Sequence, residues 1–246
     1  MIDLHALHSV ADISRHQARV NGDRIALVFE GRETTYSELD ERTSRVANGL
    51  VAEGCKEGTR IGYLGKNSDY YFEVMLGAAK AKAVIAGVNW RLAAAELDYV
   101  LNNAETEVLF VGAEFYAVIQ ALAPSLKSLR TIIAIDGDHS DWVAFPAWRD
   151  AQEITDLNLP TAPDDDVVQM YTSGTTGNPK GVQLTNGNYL DLMDQAGNGG
   201  WGDWNAGEAN LVAMPIFHVA GVNIGLIGLA QGLVNVIIKD VDPVVI

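Results

Sequence analysis

The sequence predicts an α/β protein with doubly wound, mostly parallel sheets and helices on both faces. Three observations carry that prediction. Short apolar runs of strand length recur along the chain, separated by segments with apolar residues at helical spacing. A helix between two strands lets the second run parallel to the first while its apolar stripe covers the sheet. A chain of 246 residues that is 48% hydrophobic can bury the core that such layers need.

Taken in order, "RIALVFE" (24–30) reads as a strand ending in a turn at Gly31. "SELDERTSRVANGLVAEG" reads as a helix. Ser37 is its N-cap candidate with Asp40 three residues on; Leu39, Thr43, Val46 and Leu50 share a face, and Gly54 ends it. "RIGYLG" is a strand, "SDYYFEVMLGAAKAK" a helix, "AVIAGV" a strand and "AAELDYVLNNA" a helix. "EVLFVG" is a strand, "EFYAVIQALA" a helix and "TIIAIDG" a strand. Between Asp136 and Asp166 the alternation lapses into a polar stretch with Pro146, Pro160 and Pro163. A boundary between lobes of roughly 1–160 and 161–246 is placed there. "DDD" at 164–166 reads as a solvated lead-in to the strand "VVQMYT", and the sequence assigns no metal ligands. A helix follows at 188–196, and then the strands "NLVAM" and "VNVIIK" flank a buried helix.

That last region carries no Lys, Arg, Asp or Glu from Ala209 to Ile238, a length that could cross a bilayer. Pro215, His218, Asn223, Gln231 and Asn235 are costly or disruptive in lipid, so no transmembrane span is expected. A net charge of −15 argues against a nucleic-acid surface, which needs clustered Lys and Arg. Cys55 is the single cysteine, and the N-terminus lacks the apolar core of a signal peptide. The expected compartment is the cytoplasm.

The most informative stretch is "YTSGTTGNPKGV", Tyr171 to Val182. Gly174, Gly177 and Gly181 let backbone N–H groups approach a ligand with no Cβ in the way. Thr172, Ser173, Thr175 and Thr176 add hydroxyls, and Lys180 adds a mobile positive charge. That set suits phosphate oxygens, and the preceding strand delivers it to a strand end, where wound α/β sheets bind ligands. A Walker A loop fails because Pro179 stands five residues after Gly174 and Gly181 follows Lys180. A nucleophile elbow fails because Tyr171 occupies its first Gly position. Gly197 to Gly202 satisfies G-x-G-x-x-G, yet it follows a helix and lacks the acid about twenty residues on that reads the ribose. The plain alternative for 171–182 is a turn-rich hairpin, against which four clustered hydroxyls and a lysine weigh.

The loop resembles the phosphate-binding signature of the adenylate-forming superfamily, which includes acyl-CoA synthetases, luciferases and the adenylation domains of peptide synthetases. "TTYSELDERTSRVANGL" is similar to that family's first helix with its preceding Tyr. "GAAKAKAVIAGVNWRLAAAEL" resembles its next helix–strand–helix element, with Lys82 where a small residue is commoner. "MPIFHVAG" resembles the block bordering the carboxylate substrate. The chain most resembles a fatty-acid–CoA ligase in its N-terminal half.

The resemblance implies joining of a carboxylic acid to the α-phosphate of ATP, with Mg²⁺ as cofactor and CoA as the commonest thiol acceptor. It implies that Thr172, Ser173, Gly174, Thr175, Thr176 and Gly177 cradle the β- and γ-phosphates. Lys180 would neutralise the departing pyrophosphate. His218 has a bland reading as a satisfied core histidine; the resemblance instead places it on the acyl site. No acid lies between Leu211 and Gly221 to meet a substrate ammonium, so a fatty or aromatic acid is expected. Gly221, Gly225, Gly228 and Gly232 fall on one helix face, each costing about 1 kcal/mol against Ala. Close packing is one account, and a smooth wall beside an acyl channel, lined by Gly221 and Gly225, is the other.

The chain ends at "KDVDPVVI", before the downstream acidic block, the ribose-binding Asp and the C-terminal lid that the resemblance implies. The expectation is an incomplete N-terminal adenylation domain that does not turn over by itself. Its open sheet edges would let it associate with itself. Two other readings stay open: a non-catalytic nucleotide- or partner-binding module, and a small-molecule kinase.

Overall fold

The computed structural model describes residues 7–172, 178–198 and 204–241. The chain opens with a helix, α1 (Asp12–Asn21), and an antiparallel strand pair, β1 (Ile25–Phe29) and β2 (Arg32–Thr35). There follow α2 (Tyr36–Ala52), β3 (Arg60–Leu64), α3 (Asp69–Lys80), β4 (Val84–Gly87), α4 (Ala94–Asn103) and β5 (Val108–Val111). Next come α5 (Tyr116–Leu122), β6 (Thr131–Ala134), β7 (Val143–Ala144) and α6 (Phe145–Asp150). The remainder is β8 (Asp166–Thr172), β9 (Lys180–Thr185), α7 (Asn186–Asn198), β10 (Ala209–Val212), α8 (Val219–Ala230) and β11 (Val234–Ile237).

The strands form two sheets, a seven-stranded one in the order β7-β6-β5-β3-β4-β8-β9 and a four-stranded one in the order β10-β11-β1-β2. All pairings are parallel except β1 with β2 and β8 with β9. The α/β wound architecture expected from the alternation is therefore present. The lobes placed near residue 160 exchange strands: β1 and β2 join the sheet of β10 and β11, and β8 and β9 join the sheet of β3 to β7.

The polar stretch at 136–166 is better tied down than its composition indicates. It contributes β7 and α6, and Asp156 bonds bidentately to Arg15 at 2.7 and 2.8 Å. Lys80 is fully buried and lies 2.7 Å from Asp40, 2.9 Å from the Ser44 hydroxyl and 3.3 Å from Asp156. A buried ammonium needs such company, because an unpaired charge there is costly to desolvate. The cluster fastens α2, α3 and this stretch into one body. Within the "DDD" run, Asp165 pairs with Lys82 at 3.2 Å and Asp166 opens β8. Lys82 adopts φ +56°, the left-handed conformation that a glycine would take at least cost.

Helix α2 is capped two residues earlier than expected. Thr35 is its N-cap: its hydroxyl accepts from the Glu38 amide at 3.2 Å, and the Glu38 carboxylate accepts from the Thr35 amide at 2.7 Å. The Ser37 amide is instead used by the Gly22 carbonyl at 3.0 Å. Among the described residues no helix is long and apolar enough to cross a membrane.

Candidate functional site

Strand β8 lies beside β4 and carries its last residue, Thr172, to the carboxyl edge of the seven-stranded sheet. The chain then returns as β9, with Thr172 opposite Lys180, Tyr171 opposite Gly181 and Met170 opposite Val182. Tyr171, Thr172 and Lys180 to Val182 of the signature segment thus belong to an antiparallel ladder. Ser173, Gly174, Thr175, Thr176 and Gly177, read as the phosphate cradle, lie outside the described residues, as does most of the G-x-G-x-x-G run at 197–202.

The base of the hairpin is held by long-range contacts that no sequence pattern marks. Arg60 Nε donates to Gln169 Oε1 at 3.2 Å, and Gln169 Nε2 donates to the Tyr171 hydroxyl at 3.0 Å. Tyr171 donates in turn to Asn103 Oδ1 at 2.8 Å, and the Tyr99 hydroxyl on α4 donates to the Pro179 carbonyl at 3.3 Å. Burial pushes the Tyr171 phenol above its ordinary pKa, with Gln169 pulling the other way, so it stays a neutral donor. Lys180 is exposed, and among the described residues no carboxylate pairs with it. Gly181 belongs to β9. A Cβ there would lie 2.5 Å from Gln169 Nε2, so this glycine makes room for that side chain.

A cavity of about 450 Å³ lies at the carboxyl ends of β4 and β8. Thr172 and His218 both line it, with Asn89, Met170, Phe217 and Val219 among the other walls. Lys180, Gly221 and Gly225 are not among its lining residues. His218 is exposed at the start of α8 and caps it, Nδ1 accepting from the Ala220 amide at 3.3 Å. A nitrogen that accepts carries no proton, so neutral His218 presents Nε2–H as a donor.

The two glycines offered as a channel wall have a packing reason instead. Both are buried; a Cβ on Gly221 would lie 2.3 Å from the Pro215 carbonyl oxygen, and one on Gly225 would lie 2.2 Å from the Phe72 ring. A Cβ on Gly228 would lie 2.2 Å from Asn235 Oδ1 and 2.4 Å from Asn210 Nδ2, and Gly232 takes φ +73° just after the helix. These contacts fit the close-packing account of the glycines, since the protein's own groups fill the space a side chain would take. Cys55, beside Lys56 in sequence, is buried against Arg130, whose Nη2 lies 3.5 Å from Sγ. Burial raises its thiol pKa more than Arg130 lowers it, which leaves the group protonated and inert.

A wound, mostly parallel sheet with a cavity at the carboxyl ends of β4 and β8, closed by the segment that leads into α8, defines a ligand-binding α/β class. Residues 14–245 match the family described as AMP-binding enzyme, and the chain belongs to that family. It is 38% identical over 200 residues to a fatty acid–[acyl-carrier-protein] ligase, ScoC, of Streptomyces coeruleorubidus, covering 80% of this chain and 37% of that one. It is 35% identical over 211 residues to a feruloyl-CoA synthase of an Amycolatopsis species, covering 84% of this chain and 39% of the relative. The structure superposes on a Mycobacterium tuberculosis fatty acyl CoA synthetase with a TM-score of 0.86 at 25% identity, over 96% of this chain and 45% of that one. The chain therefore spans less than half the length of these relatives.

Proposed function

We propose that the whole protein activates a carboxylic acid with ATP and passes the acyl group to a thiol. A carboxylate oxygen bonds to the α-phosphorus while the bond to pyrophosphate breaks. The thiol sulfur then bonds to the acyl carbon and AMP leaves, its proton going to solvent or a base. The observation that carries this reading is the cavity where Thr172, at the root of the phosphate loop, meets His218 against apolar walls.

In this reading, Thr172, Ser173, Gly174, Thr175, Thr176 and Gly177 hold the triphosphate, and Lys180 offsets the charge growing on pyrophosphate. Lys180 is exposed, unpaired among the described residues and directly opposite Thr172, which leaves it free to reach that position. His218 donates from Nε2 to the acid's carboxylate and orients it for attack. Among the described residues no cluster of acids or histidines could hold a divalent cation. Magnesium, when bound with ATP, would offset charge on the phosphates.

The acid is fatty or aromatic. Met170, Val182, Leu184, Phe217 and Val219 give the cavity its apolar walls, and no acid between Leu211 and Gly221 would meet an amine. CoA is the acceptor in the first reading; the ScoC name supports an acyl-carrier protein as the second. Taken alone, this chain does not turn over. It also self-associates through the open edges β9 and β10, where Val182 and Leu211 are 43% and 50% exposed.

The test is product analysis. With ATP and a panel of fatty and aryl acids, the whole protein should release AMP and pyrophosphate only when a matching acid is present. ADP as product would make it a kinase, and nucleotide binding without turnover would make it a binding module; either outcome sinks the ligase reading.

A further inference from the structure

We propose that Asn67 is a positioning residue for His218, fixing the segment 214–218 against the seven-stranded sheet. Asn67 follows β3, at the turn into α3, and only 5% of it is exposed. Its side chain serves residues about 150 or more positions away. Nδ2 donates to the Met214 carbonyl at 3.1 Å and to the Ile238 carbonyl at 3.0 Å, and Oδ1 accepts from the Ile216 amide at 3.0 Å. A primary amide supplies two donors and an acceptor from one short planar group, which these three backbone atoms require.

The segment needs that help. It lies between β10 and α8, outside both, so no strand ladder holds it; Pro215 has no amide, and only the His218 amide closes a local turn onto the Pro215 carbonyl at 3.0 Å. A second anchor sits just after the first. The Phe217 backbone packs on Gly87, where a Cβ would come within 3.3 Å of the Phe217 Cα. Its ring meets Trp90 edge-on at 6.2 Å between centroids, and Arg91 lies 4.6 Å from the Trp90 centroid. The next residue is His218. Asn67 follows β3, Gly87 ends β4 and Thr172 ends β8, and these are consecutive strands of one sheet. That sheet therefore carries the root of the phosphate loop and both anchors of the segment opposite it. The separation of Thr172 from His218 is set inside a single rigid element.

The positioning stands on geometry; its consequence for the acid rests on the function proposed above. The first test uses the unaltered 246-residue chain. By NMR hydrogen exchange, the Ile216 amide and both Asn67 Nδ2 protons should exchange at least about tenfold more slowly than exposed amides. Exchange at the exposed rate would overturn the clamp. In Asn67→Ala, protection should fall at Ile216 and His218 while the Ile61 and Ile85 amides of β3 and β4 hold within about twofold. Uniform loss would make Asn67 merely structural and overturn the proposal. Should that variant not fold, Asn67→Asp, which keeps the shape and one acceptor, carries the same comparison.

In the whole protein, the same substitutions should raise KM for the acid about tenfold and leave KM for ATP within about twofold. Equal changes in both would count against positioning of His218. An unaltered whole protein that forms no acyl-adenylate would sink the function proposed above, and the exchange experiment would still judge the clamp.

Discussion

Glycine recurs in two parts of this chain, the hairpin of residues 171–182 and one face of α8. In sequence the two look alike, since each spaces small residues so that something can come close. In the fold they differ. A Cβ added to any of the α8 glycines would run into a named core group: the Pro215 carbonyl, the Phe72 ring or the Asn210–Asn235 pair. The hairpin emerges at the sheet edge, with exposed Lys180 at its end and a cavity at its root. A small residue marks a close approach, and only its surroundings say whether the approaching group is the protein's own or a ligand.

Substitutions can break that comparison or sharpen it. The largest effect is expected at Gly225→Leu, which drives four carbons into the Phe72 ring and should destabilise the chain by about 3 kcal/mol in thermal melts. In the whole protein it should reduce activity with long and short acids alike; selective loss with long acids would restore the channel. Next in size, Lys180→Ala in the whole protein should slow adenylation about 100-fold, roughly 2.7 kcal/mol of barrier, without moving the melting temperature. Thioester formation from supplied acyl-adenylate should be less affected, and equal slowing would remove the assigned role. The smallest effect is expected at Gly181→Ala, about 1 kcal/mol, because the nearest atom is the far end of the Gln169 side chain, which can shift at the cost of its bonds to Arg60 and Tyr171. If adenylation fell as far as in Lys180→Ala, Gly181 would belong with the ligand contacts rather than with the strand.

Much of the fold was legible. The runs read as strands at 24–30, 60–65, 83–88, 107–112, 131–137 and 167–172 each contain an observed strand. The elements passed over have a shared cause. α1 buries Ser14 and Gln17 beside Ile13, so its inner face is largely polar and offers few apolar residues to read. In β2, "RETT", only Thr34 is buried, and β7 is two residues long. Of the site, Thr172 and His218 were legible as a pair of candidates and line one cavity. Asn67, Gln169 and Tyr99 were not, because each acts through a backbone or side-chain partner about seventy or more residues away, except for Gln169 with Tyr171.

The sequence by itself determined the alternation of the main strands and helices, the position of the hydroxyl-rich turn and the family. These rest on periodicity, turn chemistry and motif, which are local and survive without a partner. The tertiary structure alone decided that β1 and β2 join the last strands, that the α8 glycines face protein, and that Asn67 holds the segment ahead of His218. Those outcomes depend on which distant groups meet after the sheets close, and hydrogen bonding and packing fix them only when both partners are in place.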